Sequence, residues 1–216
     1  VCALNLGDQH AKYGARIYMD SDLVISSRDL MALGEHLAIE NPILVSPVMR
    51  VDVSGSSWVV REFHDFWTRL PAYKARTGGL YGLSAKGRER FTQFPELNAD
   101  DGYVRSLFQE GEFIKAPDIF FSSFAPRSLS GLLAIRRRAK QGNKILQDFN
   151  DGRLGAKQNR IGDVFSLMVT SPRFAVAGLV FLGITLWVQV QLRVRKELGN
   201  ESSWERDESS RKRSTA

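Results

Sequence analysis

Cysteine and histidine are scarce in this chain of 216 residues, which contains Cys2 and three histidines, His10, His36 and His64. A single cysteine excludes an intramolecular disulfide and a zinc site built from cysteines, and it favours a reducing compartment. The histidines are widely spaced, so a histidine metal site has little support. A composition of 43% hydrophobic and 25% charged residues excludes wholesale disorder and collagen-like or disulfide-scaffold proteins.

The first residues lack the features of a secretory signal peptide, because they contain neither a charged n-region nor a long apolar run. The chain begins at Val1 rather than at a methionine. We therefore expect a fragment of a longer protein, with a length that corresponds to one domain and an appendage.

Positive charge is distributed unevenly, although the chain as a whole carries a net charge of +6. Residues 1–126 hold 13 Lys and Arg against 16 Asp and Glu, whereas residues 127–160 hold nine against two. This basic segment lies beside an apolar one, an arrangement that fits an anionic membrane surface at least as well as nucleic acid. We expect a membrane as a partner, and no nucleic acid.

The apolar segment is Phe174–Leu192, 19 residues without a formal charge. As a helix it would be about 28 Å long, close to the roughly 30 Å of hydrocarbon in a bilayer. Arg173 and Arg193 flank it, and Trp187 suits an interfacial position. The sequence predicts a membrane helix here, with a buried core helix as the alternative. Residues 193–216 are charged and serine-rich, and we expect them to be disordered.

Predicted strands alternate with predicted helices in the first two thirds of the chain. This alternation predicts an α/β fold with a mixed, mainly parallel sheet flanked by helices. Pro47 predicts that its strand lies at a sheet edge or carries a bulge. The predicted helices are 3–14, 26–40, 58–70, 86–91, 100–110 and 128–146, and the predicted strands are 15–22, 43–55, 80–84 and 113–121.

Asp20, Ser21 and Asp22 directly follow the predicted strand RIYM. Ligand sites in open α/β sheets collect at the carboxyl ends of strands. Two carboxylates there can converge on one hard divalent cation that also bridges substrate phosphates. A solvated loop or a helix N-cap would explain the same residues without a metal.

Asp100 and Asp101 open a predicted helix. They either complement the helix dipole or supply a general base that takes a proton from an attacking hydroxyl. Gly78 and Gly79 either form a turn or let backbone amides approach a ligand closely. The basic run RRRAK around Arg138 can bind phosphate or face a membrane, and these two interpretations are compatible.

In this order, these segments resemble the family-2 glycosyltransferases of the GT-A fold. ALNLGDQHAKYGARIYMDSDLVIS is similar to the helix and strand that deliver the family's D-x-D motif. GGLYGLSAKGRERFTQFPELNADDGYV is similar to its acceptor region. APDIFFSSFAPRSLSGLLAIRRRAKQG is similar to the strand and interfacial helix of its Q-x-x-R-W element, with the arginines but without the glutamine or the tryptophan. The family's first strands, which supply much of the nucleotide contact, would precede Val1.

The resemblance implies four segments along the chain. An incomplete GT-A-like catalytic domain would occupy residues 1–126, followed by a basic amphipathic interfacial helix and linker over 127–163. A transmembrane segment over 164–192 and the charged tail 193–216 would complete the chain.

The resemblance also implies an activity, which is inverting transfer of a sugar from a nucleotide-diphosphate sugar to a hydroxyl of a polysaccharide or a lipid-linked glycan. Asp20 and Asp22 would hold Mg²⁺ or Mn²⁺ on the diphosphate, and Asp101 would be the catalytic base. The implied donor-binding residues are Asn5, Asp20 and Arg138, and the implied acceptor-binding residues are Gly78, Gly79 and Asp100.

Two other functions fit the same residues. A nucleotidyltransferase-like enzyme also uses paired aspartates and a metal, and a non-catalytic membrane-tethered binding module would use the acidic pairs structurally. For the glycosyltransferase we expect the inner or plasma membrane, with the catalytic region in the cytoplasm. Nucleotide sugars and reduced thiols are both cytoplasmic, and Lys and Arg beside a membrane segment favour that side.

Overall fold

The computed structural model describes residues 1–97, 99–150 and 158–197. The chain divides into two compact units, each assembled from separated stretches of sequence. The predicted division at residues 126, 163 and 192 stays a prediction. The first unit takes its described residues from Val1–Arg50, Ala75–Ser123 and Gly142–Lys157, and the second takes them from Val51–Lys74, Phe124–Gln141 and Gln158–Ala216.

The described residues form one sheet, several helices and a short 3₁₀ turn. The strands are β1 Arg16–Met19, β2 Val24–Ile25, β3 Leu44–Asp52, β4 Leu80–Leu83 and β5 Phe113–Phe124. The helices are α1 Cys2–His10, α2 Ser27–His36, α3 Trp58–Trp67, α4 Pro71–Lys74, α5 Ala85–Arg88, α6 Asp100–Ser106, α7 Leu129–Phe149, α8 Ile161–Met168 and α9 Pro172–Glu197, and the 3₁₀ turn is Glu110–Glu112.

Local signals in the sequence place these elements well. The Ser26 hydroxyl accepts a hydrogen bond from the Asp29 backbone N–H and so caps the N-terminus of α2. The helix ends at His36 rather than at Glu40. The other predicted helices and strands are also present, with differences at their ends.

The strands lie in the order β1-β4-β3-β5-β2. The α/β class is confirmed, but the prediction of a mainly parallel sheet is wrong for three strand pairs. β1 with β4, β3 with β4 and β2 with β5 are all antiparallel. The order of helices and strands along the chain shows how many helices connect two strands. It does not show whether the next strand runs parallel or antiparallel to its neighbour. Here the chain runs from β3 through α3 and α4 to β4, which pairs with β3 in the opposite direction.

Pro47 lies in a strand inside the sheet, because β3 lies between β4 and β5. Of the two predicted alternatives, the sheet edge is therefore wrong, and a bulge at Pro47 stays a prediction. The pairing of β3 with β4 joins Leu44 to Leu83 and Val45 to Gly82, and both β3 residues precede Pro47. That ladder consequently does not require the backbone N–H that proline lacks.

The first unit has an aromatic core beside β1 and β4. The Tyr18 ring lies 5.2 Å from the Tyr81 ring and 5.1 Å from the Phe94 ring, measured between centroids. Asp8 on α1 accepts hydrogen bonds from the Tyr18 hydroxyl at 2.8 Å and from the Arg88 guanidinium at 2.8 Å. These contacts join α1, β1 and α5 around one largely buried carboxylate.

The second unit has a core in which α3 packs on α9. Phe181 lies 5.4 Å from Phe63 and 5.3 Å from Phe66 between ring centroids. The buried side of α9 repeats at intervals of three and four residues, as expected for one face of a helix. Its members are Ala177, Phe181, Ile184 and Val188.

The apolar run Phe174–Leu192 lies within α9, whereas the predicted transmembrane segment 164–192 begins in α8, which ends at Met168. The stretch Pro172–Arg195 is long and apolar enough to cross a membrane, by length and composition alone. The helix also exposes large apolar side chains, since Leu179 is 64% exposed and Trp187 is 56% exposed. Part of the predicted disordered tail is helical, because α9 continues to Glu197. The rest of that tail, 198–216, lies outside the described residues.

We expect the second unit to lose stability at acidic pH, because His64 on α3 is buried. Burial lowers the pKa of His64 from 6.5 to about 4, with a further contribution from the positive charge of Arg136. The unfolded chain therefore binds this proton first, and stability falls as the pH drops from 6.5 towards 4. The loss amounts to about 3 kcal/mol, at about 1.4 kcal/mol per pKa unit.

We expect His64→Gln to reduce this pH dependence, measured as the free energy of unfolding in urea at neutral and acidic pH. His36→Gln is the matched control, because His36 is exposed. A wild-type pH dependence in the His64 variant would contradict this assignment.

Candidate active site

The paired carboxylates Asp20 and Asp22 lie in an exposed turn that directly follows β1. The Leu23 backbone N–H donates to the Asp20 carbonyl at 3.2 Å, which closes the turn between β1 and β2. The Asp20 backbone N–H donates to the Gly79 carbonyl at 3.0 Å. The end of β1 thus places Asp20 beside the segment that leads into β4.

Gly78 and Gly79 form that segment with backbone conformations that favour glycine. Their φ angles are +72° and +85°, values that L side chains rarely adopt. A Cβ at Gly78 would lie 3.0 Å from the sulfur of Met49, and a Cβ at Gly79 would collide with the Asp20 carboxylate. The two glycines therefore form a turn that lets Asp20 approach closely, and their role in acceptor binding stays a prediction.

Asp100 and Asp101 occupy the first turn of α6, as predicted. Each oxygen of the Asp101 carboxylate accepts one hydrogen bond. Thr77 Oγ1 donates to Oδ2 at 2.7 Å, and the Gly102 backbone N–H donates to Oδ1 at 2.7 Å. Burial and the negative charge of Asp101 raise the pKa of Asp100. The pair therefore combines an oriented carboxylate with one that gains a proton more readily than an ordinary aspartate.

The buried Tyr81 side chain is affected by the charges of three of the predicted carboxylates. The side chain is 1% exposed, and its oxygen has no hydrogen-bond partner among the described residues. Burial raises the pKa of Tyr81, and the charges of Asp100, Asp101 and Asp20 raise it further. Direct contacts join two of these aspartates to one segment, because Thr77 donates to Asp101 at 2.7 Å and the Gly79 carbonyl accepts from the Asp20 backbone N–H at 3.0 Å, although Asp20 and Asp101 are distant in sequence.

The two remaining predicted donor contacts, Asn5 and Arg138, lie on the helices α1 and α7. Asn5 on α1 donates through Nδ2 to the Phe94 carbonyl at 3.1 Å and accepts from the Phe94 N–H at 2.8 Å. One donor and one acceptor of its amide are therefore used to hold the chain before α6. Arg138 is an exposed residue of α7 that belongs to the second unit. The donor-binding roles of Asn5 and Arg138 stay predictions.

The sequence does not predict a polar network that contacts the backbone carbonyls of Arg76 and Thr77. Lys115 Nζ on β5 donates to Ser46 Oγ at 3.1 Å and to the Arg76 carbonyl at 2.8 Å. Ser46 Oγ can in turn donate to the Thr77 carbonyl at 3.2 Å. Burial lowers the pKa of Lys115 to about 8, and the charge of Arg76 lowers it further. The available signal was a serine and a lysine among the apolar residues of two strands.

Comparison with protein-family models gives no match, and comparison with curated proteins gives none. Among solved structures, the chain is similar to the mannosyltransferase PcManGT from Pyrobaculum calidifontis in complex with GDP-Man and Mn²⁺. The TM-score is 0.51 at 20% sequence identity. The chain shares its fold with a mannosyltransferase. The likeness covers 92% of this chain and 59% of the mannosyltransferase chain, and it confirms the GT-A-like α/β fold.

The residues after β1 fit a divalent cation that is shared with a substrate. Among the described residues, no three His, Cys, Asp or Glu side chains form a group that could hold a metal ion. Asp20 and Asp22 supply two carboxylates in one turn, and Mg²⁺ is usually held by one or two carboxylates together with substrate phosphates and water. This donor set suits Mg²⁺ or Mn²⁺ on a diphosphate rather than a metal held by protein alone.

We expect ionised Asp100 to destabilise the folded chain at neutral pH. Its pKa is raised in the folded chain, so the unfolded chain releases the proton first and stability is lost as the pH rises through the folded-state pKa. We expect Asp100→Asn to raise the melting temperature at neutral pH and to leave it nearly unchanged below the ordinary value of 3.8. Thermal unfolding at both pH values measures this, with the exposed Glu110→Gln as control. A larger gain at acidic than at neutral pH would contradict the assignment.

Proposed function

We propose that this chain is the catalytic region of a metal-dependent, inverting glycosyltransferase. It moves a sugar from a nucleotide-diphosphate sugar to a hydroxyl of a polysaccharide or lipid-linked glycan. The observation that carries the proposal is that one short segment contacts both acidic pairs, since Thr77 donates to Asp101 at 2.7 Å and the Gly79 carbonyl accepts from the Asp20 backbone N–H at 3.0 Å. The fold shared with a mannosyltransferase in complex with GDP-Man and Mn²⁺ supports a nucleotide sugar as donor.

In this proposal, Asp20 and Asp22 bind the divalent cation on the diphosphate of the sugar donor. Their carboxylates lie in an exposed turn, where a diphosphate and its Mg²⁺ or Mn²⁺ have access. A cation bound there supplies positive charge that stabilises the negative charge of the departing diphosphate. Arg138 and Asn5 are the further proposed donor contacts.

Asp101 acts as the general base at the acceptor end. Each of its oxygens accepts one hydrogen bond of 2.7 Å and keeps a further lone pair, so the carboxylate is oriented and can still accept a proton. The acceptor oxygen, as it loses its proton to Asp101, forms a bond to the anomeric carbon while the bond to the diphosphate breaks. Direct attack from the opposite face inverts the configuration and requires no covalent nucleophile.

Asp100, Gly78 and Gly79 bind the acceptor. Because the pKa of Asp100 is raised, its carboxyl group takes up a proton more readily. It can then share hydrogen bonds with sugar hydroxyls. Gly79 has no side chain that would collide with the neighbouring Asp20 carboxylate.

The transfer assay uses the longest natural chain that contains these 216 residues, a panel of labelled nucleotide sugars and Mn²⁺. We expect transfer to a hydroxyl acceptor, release of the nucleoside diphosphate and loss of activity in EDTA. Release of pyrophosphate from a nucleoside triphosphate would favour a nucleotidyltransferase instead. If calorimetry detects binding of neither Mn²⁺ nor nucleotide, the result would favour the non-catalytic binding module over both enzymes.

We also propose that α9 holds the protein at the inner or plasma membrane, with the catalytic region in the cytoplasm. The exposed apolar side chains Leu179, Leu186 and Trp187 support contact with lipid, and Arg173 and Arg193 flank the apolar run. Membrane fractionation with carbonate washing, followed by protease protection in intact cells, tests this placement. Release by carbonate, or digestion of the Asp20–Asp101 region from outside, would contradict it.

A further inference from the structure

Residues 76–79, here called the 76–79 loop, contact both ends of the candidate site. Thr77 Oγ1 donates to Asp101 Oδ2 at 2.7 Å. Two residues later, the Gly79 carbonyl accepts from the Asp20 N–H at 3.0 Å, and the missing Cβ of Gly79 leaves space for the Asp20 carboxylate. Three consecutive residues therefore connect the carboxylate proposed for the donor to the carboxylate proposed for the acceptor.

The backbone of the 76–79 loop is fixed from the side of the sheet. Lys115 Nζ donates to the Arg76 carbonyl at 2.8 Å, and the Ser46 hydroxyl can donate its single proton to one of three carbonyls, of which the Thr77 carbonyl lies 3.2 Å away. Ser46 is fully buried, and Thr77 is 3% exposed. Because Thr77 is β-branched and buried, its hydroxyl has little freedom to leave Asp101.

We infer that Thr77 is a positioning residue, which sets the orientation of the Asp101 carboxylate relative to Asp20. This inference rests on the proposed function and adds a residue that determines its geometry. Proton transfer requires the base within hydrogen-bond distance of the acceptor hydroxyl. Reaction rates depend steeply on such placement, since a displacement of about 1 Å can lower a rate by about 10²-fold.

The test compares Thr77→Val, which keeps the shape and removes the hydroxyl, with Thr77→Ser, which keeps the hydroxyl. We expect Thr77→Val to lower kcat by about 10- to 100-fold, with the donor Kd and acceptor KM close to wild type. Thr77→Ser should recover most of the activity. Thr68→Val is the matched control, because the Thr68 hydroxyl donates to the His64 carbonyl within the second unit.

A second measurement does not depend on activity. With labelled aspartate, the ¹³Cγ signal of Asp101 in the substrate-free chain should shift in Thr77→Val and return in Thr77→Ser. An unchanged Asp101 signal, a wild-type kcat in Thr77→Val, or equal losses in both variants would overturn the inference. A wild-type chain without transfer activity would contradict the proposed function, and the Asp101 signal would still test the Thr77 contact.

Discussion

Asp101→Asn is expected to lower the rate of sugar transfer by roughly 10²- to 10⁴-fold, the usual contribution of general-base catalysis. Asparagine keeps the shape of the side chain but has no carboxylate to accept the proton of the acceptor. Its amide oxygen can still accept from the Gly102 N–H, and its NH₂ group can donate to the Thr77 hydroxyl, which serves as donor or acceptor. The fold around α6 should therefore persist, and the loss should be found in kcat.

Initial rates at saturating donor and acceptor measure this loss, and calorimetry measures donor binding, which should stay near wild type. Asp118→Asn is the matched control, because Asp118 is an exposed aspartate of β5 in the same unit. A loss of donor binding equal to the loss of rate would make Asp101 a structural residue. Full activity in the Asp101 variant would assign the base to another group.

The parts of the site that the sequence predicts are local in the chain. Asp20 and Asp22 follow the four residues Arg16–Met19 that form β1, and Asp100 and Asp101 open α6. A strand period, an N-cap and acidic residues in a first helical turn act over only a few residues. Such signals can be recognised without knowledge of the tertiary structure, which is why both acidic pairs were found.

The contacts that join these pairs are long-range, and the sequence does not predict them. Lys115 donates to Ser46 across 69 positions, and Thr77 donates to Asp101 across 24. No sequence motif identifies such pairs, because their contacts form only when the strands have assembled into the sheet. The wrong strand orientation has the same cause, since the alternation of elements does not state the direction of each strand.

The apolar run in α9 illustrates a different limit. A lipid-facing surface and a protein core both select uncharged side chains, so hydrophobicity alone does not separate them. Phe181 is 6% exposed in the core of the second unit, while Leu179 on the same helix is 64% exposed. The division of the helix into a buried and an exposed side depends on α3, which is distant in sequence.

Asp22→Ala is expected to abolish most of the metal-dependent donor binding and most of the sugar transfer. The substitution removes one of the two carboxylates in the turn after β1, and a cation shared with a diphosphate has few protein ligands to lose. Asp22 is exposed in the turn between β1 and β2, so its removal should leave the melting temperature close to wild type. Calorimetric titration with Mn²⁺ and a nucleotide sugar, followed by initial rates over a range of Mn²⁺ concentrations, measures both losses.

Glu40→Ala is the matched control for Asp22→Ala, because it removes another exposed carboxylate of the first unit. We expect this variant to bind Mn²⁺ and donor like the wild type, so that a general loss of negative charge does not account for the effect. Excess Mn²⁺ should restore only part of the activity of Asp22→Ala, because Asp20 still supplies one carboxylate in the turn. Wild-type activity that survives EDTA, or unchanged Mn²⁺ binding in Asp22→Ala, would contradict the assignment of this turn to a metal.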